Sequence, residues 1–204
     1  MKKMFLVSSF KDVASIFEKF EENLRGKRVT FIPTASNVEK VVFYVDSGKK
    51  ELEKLGMIID ELDISTASSQ DIKDKLVNND YIYITGGNTF FLLQELKRTG
   101  ADLIITEQVN KGKLYIGESA GAMITSPNIE YVKGMDSIKK APDLKDFNSL
   151  NLVSFSTVPH CDDFPFKKVA EKIIRTYSDS LNLKPINNKQ AILLNDEQIK
   201  IETV

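Results

Sequence analysis

The chain has one cysteine, one histidine and no tryptophan in 204 residues. A lone Cys161 excludes an intramolecular disulfide and any cysteine-rich zinc or iron–sulfur centre. With His160 as the only imidazole, a multi-histidine metal site is excluded too. Ten glycines and six prolines are scattered along the chain, so neither a low-complexity nor a disordered segment is expected. Neither sign of charge is in excess: 28 Lys+Arg against 29 Asp+Glu gives no overall pull toward nucleic acid or an anionic membrane. No apolar run approaches the ~20 residues that cross a bilayer. The run Met4–Val7 behind two lysines is shorter than the roughly 7–15 residues of a secretory h-region. These absences lead us to expect a soluble cytoplasmic protein, monomeric or weakly homodimeric. We expect no metal, cofactor, nucleic-acid partner or membrane partner.

What is present is ordinary globular material. At 42% hydrophobic the chain can bury a substantial core, and its length suits one domain spanning residues 1–204. Short β-rich runs alternate with stretches of helical period. Met4–Ser8 reads as a buried strand, and Phe10, Val13, Ile16, Phe17, Phe20 and Leu24 follow at helical spacing. Val29–Ile32 is a second strand. Ser36 with Glu39 three residues on forms a capping-box pattern, predicting a helix that carries Val38, Val41, Val42 and Val45. Met57–Ile64, Tyr81–Thr85 and Leu114–Gly117 read as further strands, with helices near Asp71–Val77, from Phe90 and over Ala101–Val109. Past Pro127 the pattern loosens to about Phe147. A strand at Leu152–Thr157 then leads to Pro159-His160 and a helix with Phe166, Val169, Ile173 and Tyr177. Ala191–Leu194 and Gln198–Glu202 read as an edge hairpin. The alternation predicts a three-layer α/β fold, a mostly parallel open sheet with helices on both faces.

The chemistry concentrates in three places. Gly117-Glu118-Ser119-Ala120-Gly121 matches G-x-S-x-G directly after a buried strand and at the start of a helix. In that context the glycines permit a tight turn that presents a serine hydroxyl above the strand ends, and the N–H of Ala120 faces a developing oxyanion. His160 lies beyond a strand, where open α/β sheets place functional residues, and is the only histidine available as base. A carboxylate to orient it would come from the loop between the two. Asp136 is favoured there, Glu130 is the main rival, and Asp143, Asp146, Asp162 and Asp163 are also near in sequence. Cys161, next to His160, reads as a buried, inert thiol. Gly86-Gly87-Asn88-Thr89 follows another strand: Gly87 offers a second oxyanion N–H, and Asn88 can cap the next helix.

Together, Thr85-Gly86-Gly87-Asn88-Thr89, Gly117-Glu118-Ser119-Ala120-Gly121-Ala122 and Pro159-His160 resemble the peptidase E (α-aspartyl dipeptidase) family of serine peptidases. The likeness runs from the first strand to the helix after His160. It implies a flavodoxin-like core shared with class I glutamine amidotransferases, and hydrolysis of short peptides through an acyl-enzyme, Asp-X dipeptides among them. It also implies Ser119 as nucleophile, His160 as base and Asp136 as acid, with Glu130 kept open because cyanophycinase uses a Glu. Gly87 and Ala120 would form the oxyanion hole, with Asn88 in the substrate pocket. One stretch departs from the family. Where aspartyl dipeptidases place basic residues beyond the histidine motif, this chain reads Cys161-Asp162-Asp163-Phe164-Pro165-Phe166. Two other readings stay open. One is a non-catalytic, amidotransferase-like ligand-binding or regulatory module. The other, an esterase of the α/β-hydrolase type, is disfavoured by the 41 residues between Ser119 and His160, too few for that fold's intervening elements.

Overall fold

The computed structural model describes residues 2–204. Its main sheet has seven strands in the order β3-β2-β4-β5-β1-β8-β9. These are β1 (Lys3–Val7), β2 (Arg28–Ile32), β3 (Ile58–Glu61), β4 (Tyr81–Ile84), β5 (Leu114–Glu118), β8 (Gln190–Asn195) and β9 (Gln198–Thr203). The first five are parallel, whereas β8 runs antiparallel to β1 and to β9, forming the expected hairpin at the sheet edge.

Side-chain alternation divides the core into two layers. Met4, Leu6, Ile82 and Ile84 face one way, under α3 (Ser69–Asn78), α4 (Thr89–Thr99), α5 (Ala101–Asn110) and α7 (Lys167–Tyr177). Phe5, Val7, Tyr81 and Tyr83 face the other way, under α1 (Phe10–Phe20) and α2 (Phe43–Lys54). Every residue of β4 and β5 is buried, as parallel strands covered on both faces require. The architecture is the three-layer α/β fold expected, flavodoxin-like in its parallel core.

Two local expectations are corrected. Ser36 does not cap a helix: its hydroxyl donates to the Pro33 carbonyl at 2.7 Å inside a 3₁₀ turn over Thr34–Val38. Glu39 is then extended, and α2 begins only at Phe43. Val41 and Val42 therefore fall in a connecting segment with exposed side chains. The strand expected at Leu152–Thr157 shrinks to β6 (Ser156–Val158), and it lies outside the main sheet. The place beside β1 is taken by β8, so β6 pairs instead with β7 (Leu183–Pro185), a strand that sequence pattern did not reveal. No helix among the described residues is long and apolar enough to cross a membrane.

Candidate active site

The site sits beyond the C-terminal ends of β1, β4 and β5, where Ser8, Gly87 and Ser119 leave their strands. Ser119 is held in a conformation that L-residues avoid, with φ +50° and ψ −104°. Three contacts over-determine it. Its N–H donates to the Val7 carbonyl at 2.8 Å, closing the turn against β1. The short helix α6 (Ala120–Met123) starts immediately, and Gly121 presses so closely on β4 that an added Cβ would lie 2.1 Å from the Ile84 carbonyl oxygen. The Tyr115 hydroxyl fastens the same turn by donating to the Gly121 carbonyl at 2.6 Å.

His160 comes from the β6 side. It too has a positive φ, of 60°, and its N–H donates to Ser8 Oγ at 3.0 Å. Ser8 Oγ in turn donates to the Ile186 carbonyl at 3.2 Å, which ties the end of β1 to the loop after β7. The imidazole stacks on Phe166 with 4.9 Å between ring centres. Its Nε2 lies 2.9 Å from Ser119 Oγ and its Nδ1 lies 2.8 Å from Asn188 Oδ1. An amide oxygen only accepts, so Nδ1 carries the proton and Nε2 presents its lone pair to the serine hydroxyl. Burial pushes the His160 pKa below its ordinary value, against the opposing pull of the Asn188 hydrogen bond and the Asp163 charge. The ring is therefore neutral, as a base must be.

The partner of Nδ1 is thus an amide, and neither expected carboxylate lies there. Asp136 Oδ2 accepts from the N–H and hydroxyl of Thr89, at 2.7 and 2.6 Å, at the start of α4. Burial raises its pKa to about 6. Glu130 is exposed and pairs with Lys133 at 2.7 Å. Of the other loop acids, Asp163 comes closest in effect: its carboxylate accepts the Asn188 N–H at 2.7 Å and so anchors the residue that orients the histidine. Asn188 escaped sequence reasoning because it is an amide in a plain loop, 28 residues beyond His160. Its only signal is the Asn187-Asn188 pair just ahead of the last hairpin.

Of the remaining expected residues, Gly87, Asn88 and Asp136 line one pocket of about 650 Å³ with Ser119, His160 and Asn188, while Ala120 follows Ser119 into α6. Gly87, at φ +133°, approaches the preceding chain so closely that a Cβ would lie 2.2 Å from the Ala35 carbonyl group. Among the described residues, no acceptor is found for the N–H of Gly87 or of Ala120. Asn88 borders the pocket, but its side chain is engaged: Oδ1 caps α4 at Phe91 N–H, 3.0 Å, and Nδ2 donates to the Ser137 carbonyl at 3.2 Å. Cys161 is half-buried, its thiol on the Val158 carbonyl and its pKa pushed up to about 11 by burial, which leaves it inert. Glu118, the variable position of the turn, is a further buried carboxylate that the motif did not single out. It accepts from Phe10 N–H and from the Tyr83 hydroxyl, both at 2.9 Å, and burial raises its pKa to about 7.

A neutral imidazole bridging a strained serine and a hydrogen-bond acceptor, beside unpaired backbone donors, is equipped for acyl transfer. Comparison with known proteins identifies the family. The model of Peptidase family S51 matches residues 4–202. The chain is 61% identical over 199 residues to uncharacterized peptidase Lin0382 of Listeria innocua, covering 98% of this chain and 95% of that one. It is 32% identical over 168 residues to Peptidase E of Haemophilus influenzae, covering 78% and 73% respectively. A crystal structure of a provisionally named peptidase E protein from Listeria monocytogenes EGD-e superposes with a TM-score of 0.97 at 57% identity, over 100% of this chain and 99% of that chain. A peptidase from an acI-B1 actinobacterium shares the fold, with a TM-score of 0.75 at 21% identity, over 100% of this chain and 88% of that chain. The chain belongs to peptidase family S51 and is a hydrolase of peptide bonds.

Proposed function

We propose that the chain cleaves short peptides by a serine mechanism in which Ser119, His160 and Asn188 act as a unit. The observation that carries this reading is the continuous hydrogen-bonded line from Ser119 Oγ to His160 Nε2, 2.9 Å, and from Nδ1 to Asn188 Oδ1, 2.8 Å. Ser119 attacks the substrate carbonyl as its proton passes to Nε2. The N–H groups of Gly87 and Ala120 receive the tetrahedral oxyanion. The imidazolium is held by Asn188 Oδ1 and then gives its proton to the leaving amine, so that an acyl-enzyme forms on Ser119. Water, activated by the same Nε2, releases the acid. A neutral orienter suffices for tautomer and direction, as in cysteine peptidases that use asparagine. Asp163, one hydrogen bond behind Asn188, supplies the negative charge that a triad acid would otherwise bring. Asp136 and Asn88 hold the chain around Thr89 and so form the pocket floor, without touching the histidine.

The test is covalent and kinetic together. A fluorophosphonate should label the parent protein and not Ser119→Ala, and dipeptide hydrolysis should fall by about 10⁴-fold or more in that variant. Retained hydrolysis in Ser119→Ala would refute the mechanism.

A further inference from the structure

The pocket over Ser119 is rimmed by apolar side chains left in water. Phe164 is 96% exposed, Phe43 65% and Val41 60%, and all three line it. No other large hydrophobic side chain among the described residues is as exposed as Phe164. Single exposed apolar residues carry no message, but a group of them around a catalytic cleft marks a surface that a ligand covers. They fall into two walls. Val41 and Phe43 lead into Tyr44, whose ring lies over Gly86, with its Cε2 atom 3.5 Å from the place of a Gly86 Cβ and Ser119 Cβ 3.3 Å from it. Phe164 and Pro165 lead into Phe166, which stacks on the imidazole.

Charge argues in the same direction. Among the described residues no arginine lines the pocket, and the lysines that do are Lys11 and Lys140. Lys140 is already paired with Glu39 at 2.7 Å. Asp12, Glu39, Glu118 and Asp136 line the same space. With Glu39 and Lys140 neutralising each other, and Glu118 and Asp136 held by Phe10, Tyr83 and Thr89, an acidic substrate side chain would find a single exposed lysine, Lys11, next in sequence to Asp12. Because His160 must reach the leaving nitrogen, the wall stacked on it belongs to the leaving-group side. The wall of Val41, Phe43 and Tyr44, over the Gly86-Gly87 turn, belongs to the acyl side.

We propose that this pocket selects peptides whose acyl-side residue is aromatic or large and aliphatic, seated against Val41, Phe43 and Tyr44, in preference to an N-terminal aspartate. The inference rests on Ser119 being the nucleophile, and its test separates the two. The intact protein is assayed with Phe-Leu, Leu-Leu, Ala-Leu and Asp-Leu. Phe-Leu should exceed Asp-Leu in kcat/KM by about 10²-fold. Phe43→Ala, a change at an exposed side chain, should lower kcat/KM for Phe-Leu about tenfold through KM, while Ala-Leu moves by less than about threefold. Phe43→Leu should restore most of the loss. Equal or better cleavage of Asp-Leu overturns the proposal, and so does a Phe43→Ala variant that slows all four alike. A variant that changes oligomeric state by gel filtration while keeping its selectivity also overturns it, making the rim a protein interface. If no dipeptide is cleaved yet a fluorophosphonate labels Ser119, the selectivity is refuted and the nucleophile stands. If nothing labels, both fall.

Discussion

Ser119 and His160 meet at one hydrogen bond but are positioned in opposite ways. Ser119 stands at the end of β5, a central strand buried along its whole length, and is clamped by backbone contacts with β1 and β4. His160 stands at the end of β6, a three-residue strand outside the main sheet, and is placed by side chains: Ser8 at its N–H, Phe166 on its face and Asn188 at its Nδ1. The serine is built into the scaffold. The histidine is hung beside it from loops whose own partners are distant in sequence. Both residues hold a positive φ, but that of Ser119 is locked by the packing of neighbouring strands, whereas the His160 ring is steered by hydrogen bonds and a stacking contact.

This contrast can be broken from either side. The largest effect is expected at Gly121, where a Cβ would collide with the Ile84 carbonyl at 2.1 Å. Gly121→Ala should cost more than about 3 kcal/mol of stability, read by denaturant unfolding, because backbone there has no room to give. An alanine tolerated without loss would show that the turn is looser than described.

On the same side, Glu118 makes the scaffold pH-sensitive. Its pKa rises from an ordinary 4.5 to about 7 on burial, so between these values the folded protein holds a proton that the unfolded chain has lost. Stability therefore falls as pH rises through that window, by up to about 3 kcal/mol. Glu118→Gln should flatten the decline in a pH series of melting curves. An unchanged slope would assign the titration elsewhere, with Asp136, raised to about 6 and moving in the same direction, the next group to replace.

On the hanging side, Asn188→Ala should lower kcat by about 10²-fold, some 2.7 kcal/mol, with little change in melting temperature. Asp136→Asn should change it by less than about threefold, since its carboxylate is spent on Thr89. The reverse ranking would return the orienting role to Asp136. Asn188→Asp is read in pH rather than in rate: a carboxylate on Nδ1 favours the imidazolium, so the acid limb of kcat/KM should move up by about one pH unit.

Legibility in the sequence divides along the same line. Ser119 could be read because its turn is announced locally, by a β run, a turn of small residues and a helix start, although the contacts that clamp it come from Val7 on β1 and Ile84 on β4. Gly87 could be read for the same reason, since a glycine pair after a strand announces a close backbone approach. The sheet itself followed from the alternation of strands and helices. His160 could be found because the chain has no other histidine, but its neighbours could not. Asn188 is separated from it by α7 and β7, and an asparagine in a loop has no motif. The sequence predicts a longer β6 because Leu152, Val153 and Phe155 are apolar and buried without being a strand; burial alone cannot tell the two apart. No helix starts at Ser36 because the backbone there closes a 3₁₀ turn over Thr34–Val38 and is extended at Glu39, and the serine hydroxyl donates back to the Pro33 carbonyl within that turn.

The position of β1 has a consequence in time. Of the strands of this sheet it comes first in chain order, yet its sheet neighbours are β5 and β8, and Lys3 pairs with Asn195. At synthesis rates of 5–20 residues per second, β1 waits roughly 10–40 s for its last partner. Throughout that interval one of its edges is unpaired. Asn188 leads directly into β8, so the residue that aims His160 arrives with the strand that closes the sheet. On the roles proposed for Ser119 and His160, the serine turn is made early in synthesis and the partner of the histidine last.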